Sequence, residues 1–95
     1  GVALADEKQF DRAIVEYGKA LKIDSKSAQT HNSLGVALAH QGRLDAAVME
    51  FVQAILCDSE FADAHFNLAG LYERRGEKAA ALRHLKTYKR LTVNG

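Results

Sequence analysis

The stretch from His31 to Ser59, HNSLGVALAHQGRLDAAVMEFVQAILCDS, decides the fold. Leu34, Ala37 and Leu38 fall at i, i+3 and i+4, the spacing of one helix face. Leu44, Ala47, Val48, Phe51, Ala54 and Ile55 draw a second apolar stripe of the same period. Between the stripes, Gln41-Gly42-Arg43 puts a glycine where a left-handed residue ends a helix. After the second stripe, Cys57-Asp58-Ser59-Glu60 interrupts the pattern, and Asp58 or Ser59 is placed to N-cap a following helix. Two helices joined by so short a turn form an antiparallel hairpin.

The same unit recurs on both sides. At an offset of 34 residues, Gly1-Val2-Ala3-Leu4-Ala5 falls on Gly35-Val36-Ala37-Leu38-Ala39. Ala13 falls on Ala47 and Ala81, Tyr17 on Phe51 and Leu85, and Ala20-Leu21 on Ala54-Ile55. Asp24-Ser25 falls on Asp58-Ser59, His31-x2-Leu34 on His65-x2-Leu68, and Gly42 on Gly76. A fixed period of this length is the mark of a repeat architecture, in which each unit buries its apolar face against the next. The pattern predicts helices over residues 10–23, 27–41, 44–57, 61–75 and 78–92, with residues 1–6 as the last turns of a helix whose start is missing. No alternating, strand-like segment competes. Small residues are expected at close crossings: Ala13, Ala47 and Ala81 within hairpins, Ala20 and Ala54 between them. Tyr17, Phe51 and Leu85 fill the wider gaps beside them.

These residues resemble the tetratricopeptide repeat, whose period and W-x2-L-G-x2-Y…A-x3-F…P outline they follow. The middle unit carries His31-x2-Leu34-Gly35-x2-Leu38, then Ala47-x3-Phe51, then Ser59. The third carries His65-x2-Leu68-Ala69-x2-Tyr72, then Ala81-x3-Leu85; the first keeps Gly1-x2-Leu4, Ala13-x3-Tyr17 and Ser25. Departures are His for the large aromatic at 31 and 65, Ser for the closing Pro at 25 and 59, Lys8 where Gly42 and Gly76 stand, and Tyr88 where Ala20 and Ala54 stand. A bulky Tyr88 is expected to block close docking of a further hairpin.

The resemblance implies an all-α, right-handed α-α superhelix of antiparallel hairpins. It spans one domain over 1–95, with a partial first repeat at 1–27, a second at 28–61, and a third repeat with its terminal helix at 62–95. It also implies a protein-interaction module, a scaffold or adaptor that holds a partner peptide or helix in a concave groove lined by the first helix of each hairpin. Carried over by position, the groove residues are Gln29, Asn32, Val36, Ala39 and His40 in the middle unit. In the third they are Asp63, Phe66, Gly70, Glu73 and Arg74, and Val2, Ala5 and Asp6 remain from the first. Helix geometry agrees, because at ~100° per residue Asn32, Val36 and His40 lie away from the Leu34–Leu38 stripe. Some family members clamp chaperone C-terminal carboxylates with Lys, Asn and Arg. Asp63 and Asn67 stand where that clamp needs cations, so a chaperone tail is not the expected ligand.

The chain has 95 residues and no proline, which suits long helices, and a net charge of +1. That balance hides an asymmetry: residues 1–71 carry six Lys/Arg against ten Asp/Glu, and residues 72–95 seven against two. The basic end gives a lesser reading, an acidic partner or nucleic acid at Arg83, Lys86, Lys89 and Arg90, with Tyr72 and Tyr88 available for base stacking. No apolar run approaches the ~20 residues of a membrane span. With no initiator Met the chain reads as a piece of a longer one. The expected location is the cytoplasm, or the periplasm if the full chain carries a signal.

No catalytic or metal-binding constellation emerges, so neither an enzyme nor a cofactor is expected. His31 and His65 are read as core residues at the aromatic position, and His40 and His84 as surface. Cys57, the single cysteine, follows Ile55-Leu56 and is read as a packing residue. An alternative to peptide capture is self-association: an incomplete first hairpin leaves the face around Ile14, Tyr17 and Leu21 partly uncovered.

Overall fold

The computed structural model describes residues 2–93, with side chains from Lys8 onward. It contains five helices: α1 Val2–Ile23, α2 Ala28–His40, α3 Leu44–Cys57, α4 Ala62–Arg74 and α5 Lys78–Val93. Each helix packs on its neighbours in sequence, and α2 also touches α4. No contact closes the array on itself among the described residues, so it is an open stack of hairpins and not a bundle. The four downstream helices agree with the sequence pattern to within one residue at each end.

The hairpin turns explain themselves at two glycines. Gly42 and Gly76 have φ of 80° and 81°, a region that L side chains rarely enter. Each turn returns backbone bonds to the helix it ends: Arg43 N–H donates to Leu38 O at 3.0 Å, and Glu77 N–H to Tyr72 O at 2.8 Å. These are the reciprocal bonds of a glycine-terminated helix. The missing glycine at position 8 has the opposite result. A helix end followed by a second helix was expected around residues 7–9, but α1 runs unbroken from Val2 to Ile23. Lys8 offers no low-cost left-handed stop, and the helix continues through it.

The inter-hairpin turns are built differently. Asp58, expected as a candidate N-cap of α4, instead ends α3 and accepts from Glu60 N–H at 3.0 Å. Ser59 does not cap α4 either; Phe61 occupies the N-cap and supplies no side-chain bond. Asp24 repeats the Asp58 geometry, accepting from Lys26 N–H at 3.0 Å. Aspartate here stabilises a tight turn before the helix instead of its first N–H groups. Among the described residues, the one side-chain cap is on α2, where Ser27 Oγ accepts from Thr30 N–H at 3.2 Å.

The core is continuous from α1 to α4. Phe51 and Leu68 are the largest fully buried side chains, with Leu34, Leu38, Ala47 and Leu71 around them. Each full burial of such a side chain contributes about 1.5–3 kcal/mol. Gly35 is required by this packing: a Cβ there would lie 2.7 Å from the Phe51 ring. Ile14, Tyr17 and Leu21 of α1 pack half-buried on the same cluster. Ala54 is fully buried, but Ala20, its mate one repeat earlier and expected at an equivalent contact, is exposed. The reason is positional. Among the described residues, α3 is flanked by α2 and α4, whereas α1 packs on α2.

Cys57 corrects a second expectation. It is exposed, because it ends α3 beyond the last turn that faces the core.

Candidate functional site

Two polar ladders fix how the hairpins stack, and both repeat with the sequence period. Gln41 Nε2 donates to Asp11 Oδ1, and one repeat later Arg75 Nη1 pairs with Asp45 Oδ1 at 3.4 Å. The second ladder uses the histidines at the aromatic position. His31 is 8% exposed and His65 6%, so both are core residues with polar tasks. His31 Nε2 donates to Ser25 O at 2.8 Å, and His65 Nε2 donates to Ser59 O at 3.0 Å. Each ring thereby ties the first helix of a hairpin to the turn preceding it.

The other ring nitrogen distinguishes the repeats. His31 Nδ1 lies 2.8 Å from Glu50 Oε1, an ion pair that is complete when the ring carries both protons. His65 Nδ1 lies 3.0 Å from His84 Nδ1. The Ser59 carbonyl only accepts, so His65 keeps its proton on Nε2, and His84 Nδ1–H donates to the bare His65 Nδ1. His84 also stacks on Tyr72, with ring centroids 5.6 Å apart. Burial, then the neighbouring His65 and Arg83, hold the His84 pKa below its ordinary value. His84 was expected on the surface; it is half-buried, because the period puts it where Glu50 faces His31.

Along the first helices of the two hairpins the structure opens a recess of about 230 Å³. Val36, Ala39 and His40 of α2 and Phe66, Gly70 and Arg74 of α4 line it, all of them expected from the sequence. Phe51 and Leu71 form its buried floor, and Asn67 lies in its wall. Gly70 leaves the recess open: a Cβ there would meet nothing within 4 Å. Phe66 is 53% exposed, with its ring 5.0 Å from that of Tyr88. His40 is exposed at the rim and stacks on Phe10 of α1 at 4.8 Å with an interplanar angle of 4°. Arg74 appears in no ion pair among the described residues, whereas adjacent Arg75 is held by Asp45 and Glu77.

Four expected groove residues are placed elsewhere. Asn32 is half-buried and accepts from Asn67 Nδ2 at 3.1 Å, joining α2 to α4 beside the recess. Gln29 and Asp63 are exposed in the first turns of their helices, outside the recess lining. Glu73 belongs to a different concavity, with Ala69, Lys78, Ala81, Leu82 and Leu85. Val2, Ala5 and Asp6 lie outside the described side chains.

Asn67, Phe51 and Leu71 were missed as lining residues. Phe51 read as a core residue and Leu71 was not singled out; both are buried and reach the recess from below. Tyr72 and Tyr88, once candidates for base stacking, are half-buried against His84 and Phe66.

The recess is smaller than the ~300–1,000 Å³ typical of small-molecule sites. Its scale and open mouth suit one or two side chains of a larger guest. No helix among the described residues is long and apolar enough to cross a membrane.

Comparison with known proteins gives the same architecture. A family model described as TPR repeat matches residues 1–42. No curated protein sequence matches the chain. Among solved structures, MamA from AMB-1 is 27% identical with a TM-score of 0.82, over 93% of this chain and 52% of MamA. The chain therefore spans about half the length of MamA. The type III secretion translocator chaperone SycD of Yersinia enterocolitica superimposes with a TM-score of 0.86 at 19% identity, over 98% of this chain and 66% of SycD. The second TPR of Spaghetti (RPAP3), solved with the HSP90 peptide SRMEEVD, gives 0.83 at 19% identity, over 94% of this chain and 91% of that domain. At 19% identity the likeness is one of fold.

Proposed function

We propose that the chain is a tetratricopeptide-repeat protein and that it captures a segment of another protein in the recess between α2 and α4. The observation that carries this reading is the recess itself. Its floor is hydrophobic core, its wall holds a half-exposed phenylalanine, and no side chain among the described residues fills it. A stack of hairpins does not need such a surface for its own stability. An exposed aromatic in a concavity is a common anchor of a protein interface. The role is a binding one, with no catalytic step. SycD is a translocator chaperone and the RPAP3 domain was solved with a peptide, which supports an interaction role for this chain.

Asn32, Gln29, Asp63 and Glu73 extend the proposed contact surface beyond the recess. The test is site-specific photo-crosslinking. A photoreactive residue at Val36 or Gly70 should trap the partner, and one at Met49, which is 67% exposed on α3, should not. Equal trapping at both places would remove the groove as the binding surface. Replacing Asn32 and Phe66 together by Ala should weaken capture and leave the helical content intact.

A second reading, self-association, is favoured by α1. Its Ala20 is exposed where Ala54 is fully buried, and its Val15 is 55% exposed, so one flank of α1 is unpartnered among the described residues. Light scattering over a dilution series separates the readings: a strict monomer at high concentration removes this one.

A further inference from the structure

The seam between α4 and α5 brings two histidines together through like nitrogens. His65 Nδ1 and His84 Nδ1 stand 3.0 Å apart, with ring centroids separated by 5.3 Å. In the preceding hairpin the same two positions hold a base and an acid, His31 and Glu50, at 2.8 Å. In the last hairpin they hold two bases. Two facing imidazole nitrogens need an electrophile between them, and with both rings neutral that electrophile is a single proton.

Three features fit a metal ion to the same place. The first is the bite: two nitrogens each ~2.0–2.1 Å from one ion lie about 2.9–3.4 Å apart at coordination angles of about 90–110°. The second is orientation. Ser59 O accepts from His65 Nε2 at 3.0 Å, which keeps the proton there and leaves Nδ1 bare, the outer contact that ligating histidines carry. Tyr72 stacks on His84 with centroids 5.6 Å apart and restrains the second ring. The third is protonation. Burial, then His65 and Arg83, hold the His84 pKa down, so the ring is neutral at pH 7, as a ligand must be. Among the described residues no third His, Cys, Asp or Glu completes a metal-ligating group, so water fills the remaining positions. Calcium and magnesium, which take oxygen ligands, do not suit this pair. Ions that bind imidazole do.

We infer that His65 and His84 chelate one divalent late transition ion, copper(II) ahead of nickel(II) or zinc(II), and that the ion pins α4 to α5. The ion takes the place of the shared proton. His84 passes its hydrogen from Nδ1 to Nε2, both rings stay neutral, and no proton is released. Occupancy ties together the hairpin whose Leu85 is half-buried where Phe51 is fully buried. The two ligands are 19 residues apart, a spacing that no local motif announces.

The test titrates zinc chloride, which is diamagnetic, into the 15N-labelled protein and reads the histidine ring nitrogens by long-range 1H–15N correlation. One equivalent should shift the Nδ1 signals of His65 and His84 together, leave His65 Nε2 protonated, and slow amide exchange in α5 more than in α3. Copper(II) sulfate should bind more tightly and broaden signals around the same two rings first. His84→Gln should weaken zinc binding by about tenfold or more. If that variant loses helix, the ring shifts of the unaltered protein decide alone. Shifts that begin at His31 or His40, shifts that do not saturate at one equivalent, or no shift up to millimolar zinc overturn the inference.

Discussion

The α2–α3 and α4–α5 hairpins are the same object built twice, and they differ where it counts for stability. Both have a buried histidine bonded to a serine carbonyl, a leucine three residues on, and a turn glycine at positive φ. In the middle hairpin the histidine meets Glu50, Phe51 is 1% exposed and Ala54 is fully buried. In the last hairpin the histidine meets His84, Leu85 is half-buried and Tyr88 replaces the alanine. The lesson is that the repeat period dictates backbone and topology, while the energy of each unit depends on its flanks. A hairpin covered on both sides uses a large aromatic. The α4–α5 hairpin, packed on one side among the described residues, carries leucine at that position and is expected to be the weaker half.

The largest expected effect tests that asymmetry directly. Phe51→Ala should cost about 3–5 kcal/mol in urea denaturation. Leu85→Ala, at a half-buried site, should cost about 1–2 kcal/mol, below the range for fully buried leucine. Equal losses would show that coverage on two sides does not set the difference. Next come the glycines inside helices. Gly35→Ala forces a Cβ into the Phe51 ring and should destabilise by about 1–3 kcal/mol. Gly70→Ala meets open space and should stabilise by up to about 1 kcal/mol through helix propensity, while filling part of the recess.

Acid should separate the hairpins further. The His84 pKa is lowered in the folded chain, so the unfolded chain binds more protons once pH falls below about 6.5. The stability from neutral His84 is therefore full above the unfolded value and lost as pH falls through the folded one. Charging His84 also sets it against His65, its Nδ1 partner, and against Arg83 on its own helix. Amide exchange between pH 7 and pH 5 should speed up in α5 before α3. His84→Glu, which copies the Glu50 arrangement, should remove that order; if α5 still opens first in the variant, the histidine pair is not the cause. The smallest effect is expected at Asp45→Ala. Asp45 is 90% exposed, and its 3.4 Å pair with Arg75 should be worth less than about 0.5 kcal/mol.

Much of this was legible in the residues. The period gave the hairpins, because glycines 34 apart can only be the same turn twice. The recess was legible as the helix face that the Leu34–Leu38 stripe leaves over, and it drew together Val36, Ala39, His40, Phe66, Gly70 and Arg74. What was not legible came from two sources. One is contacts between units: nothing near His84 in sequence says that it faces His65, and only the mapping onto Glu50 shows it. The other is the edges of the array. Ala20 and Cys57 sit at positions that look buried by pattern, but no element among the described residues lies over them. The unbroken α1 was visible in principle in the single substitution of Lys8 for a turn glycine.

The absence of closing contacts among the described residues, with each helix touching its chain neighbours and α2 also meeting α4, has a mechanical consequence. Such an array behaves as a short spring. Each hairpin is stiff, and strain falls on the seam between them, where a few degrees of rotation widen or narrow the recess without breaking a turn. Tension applied along the stack would then loosen the grip on a guest well before it unravels a helix.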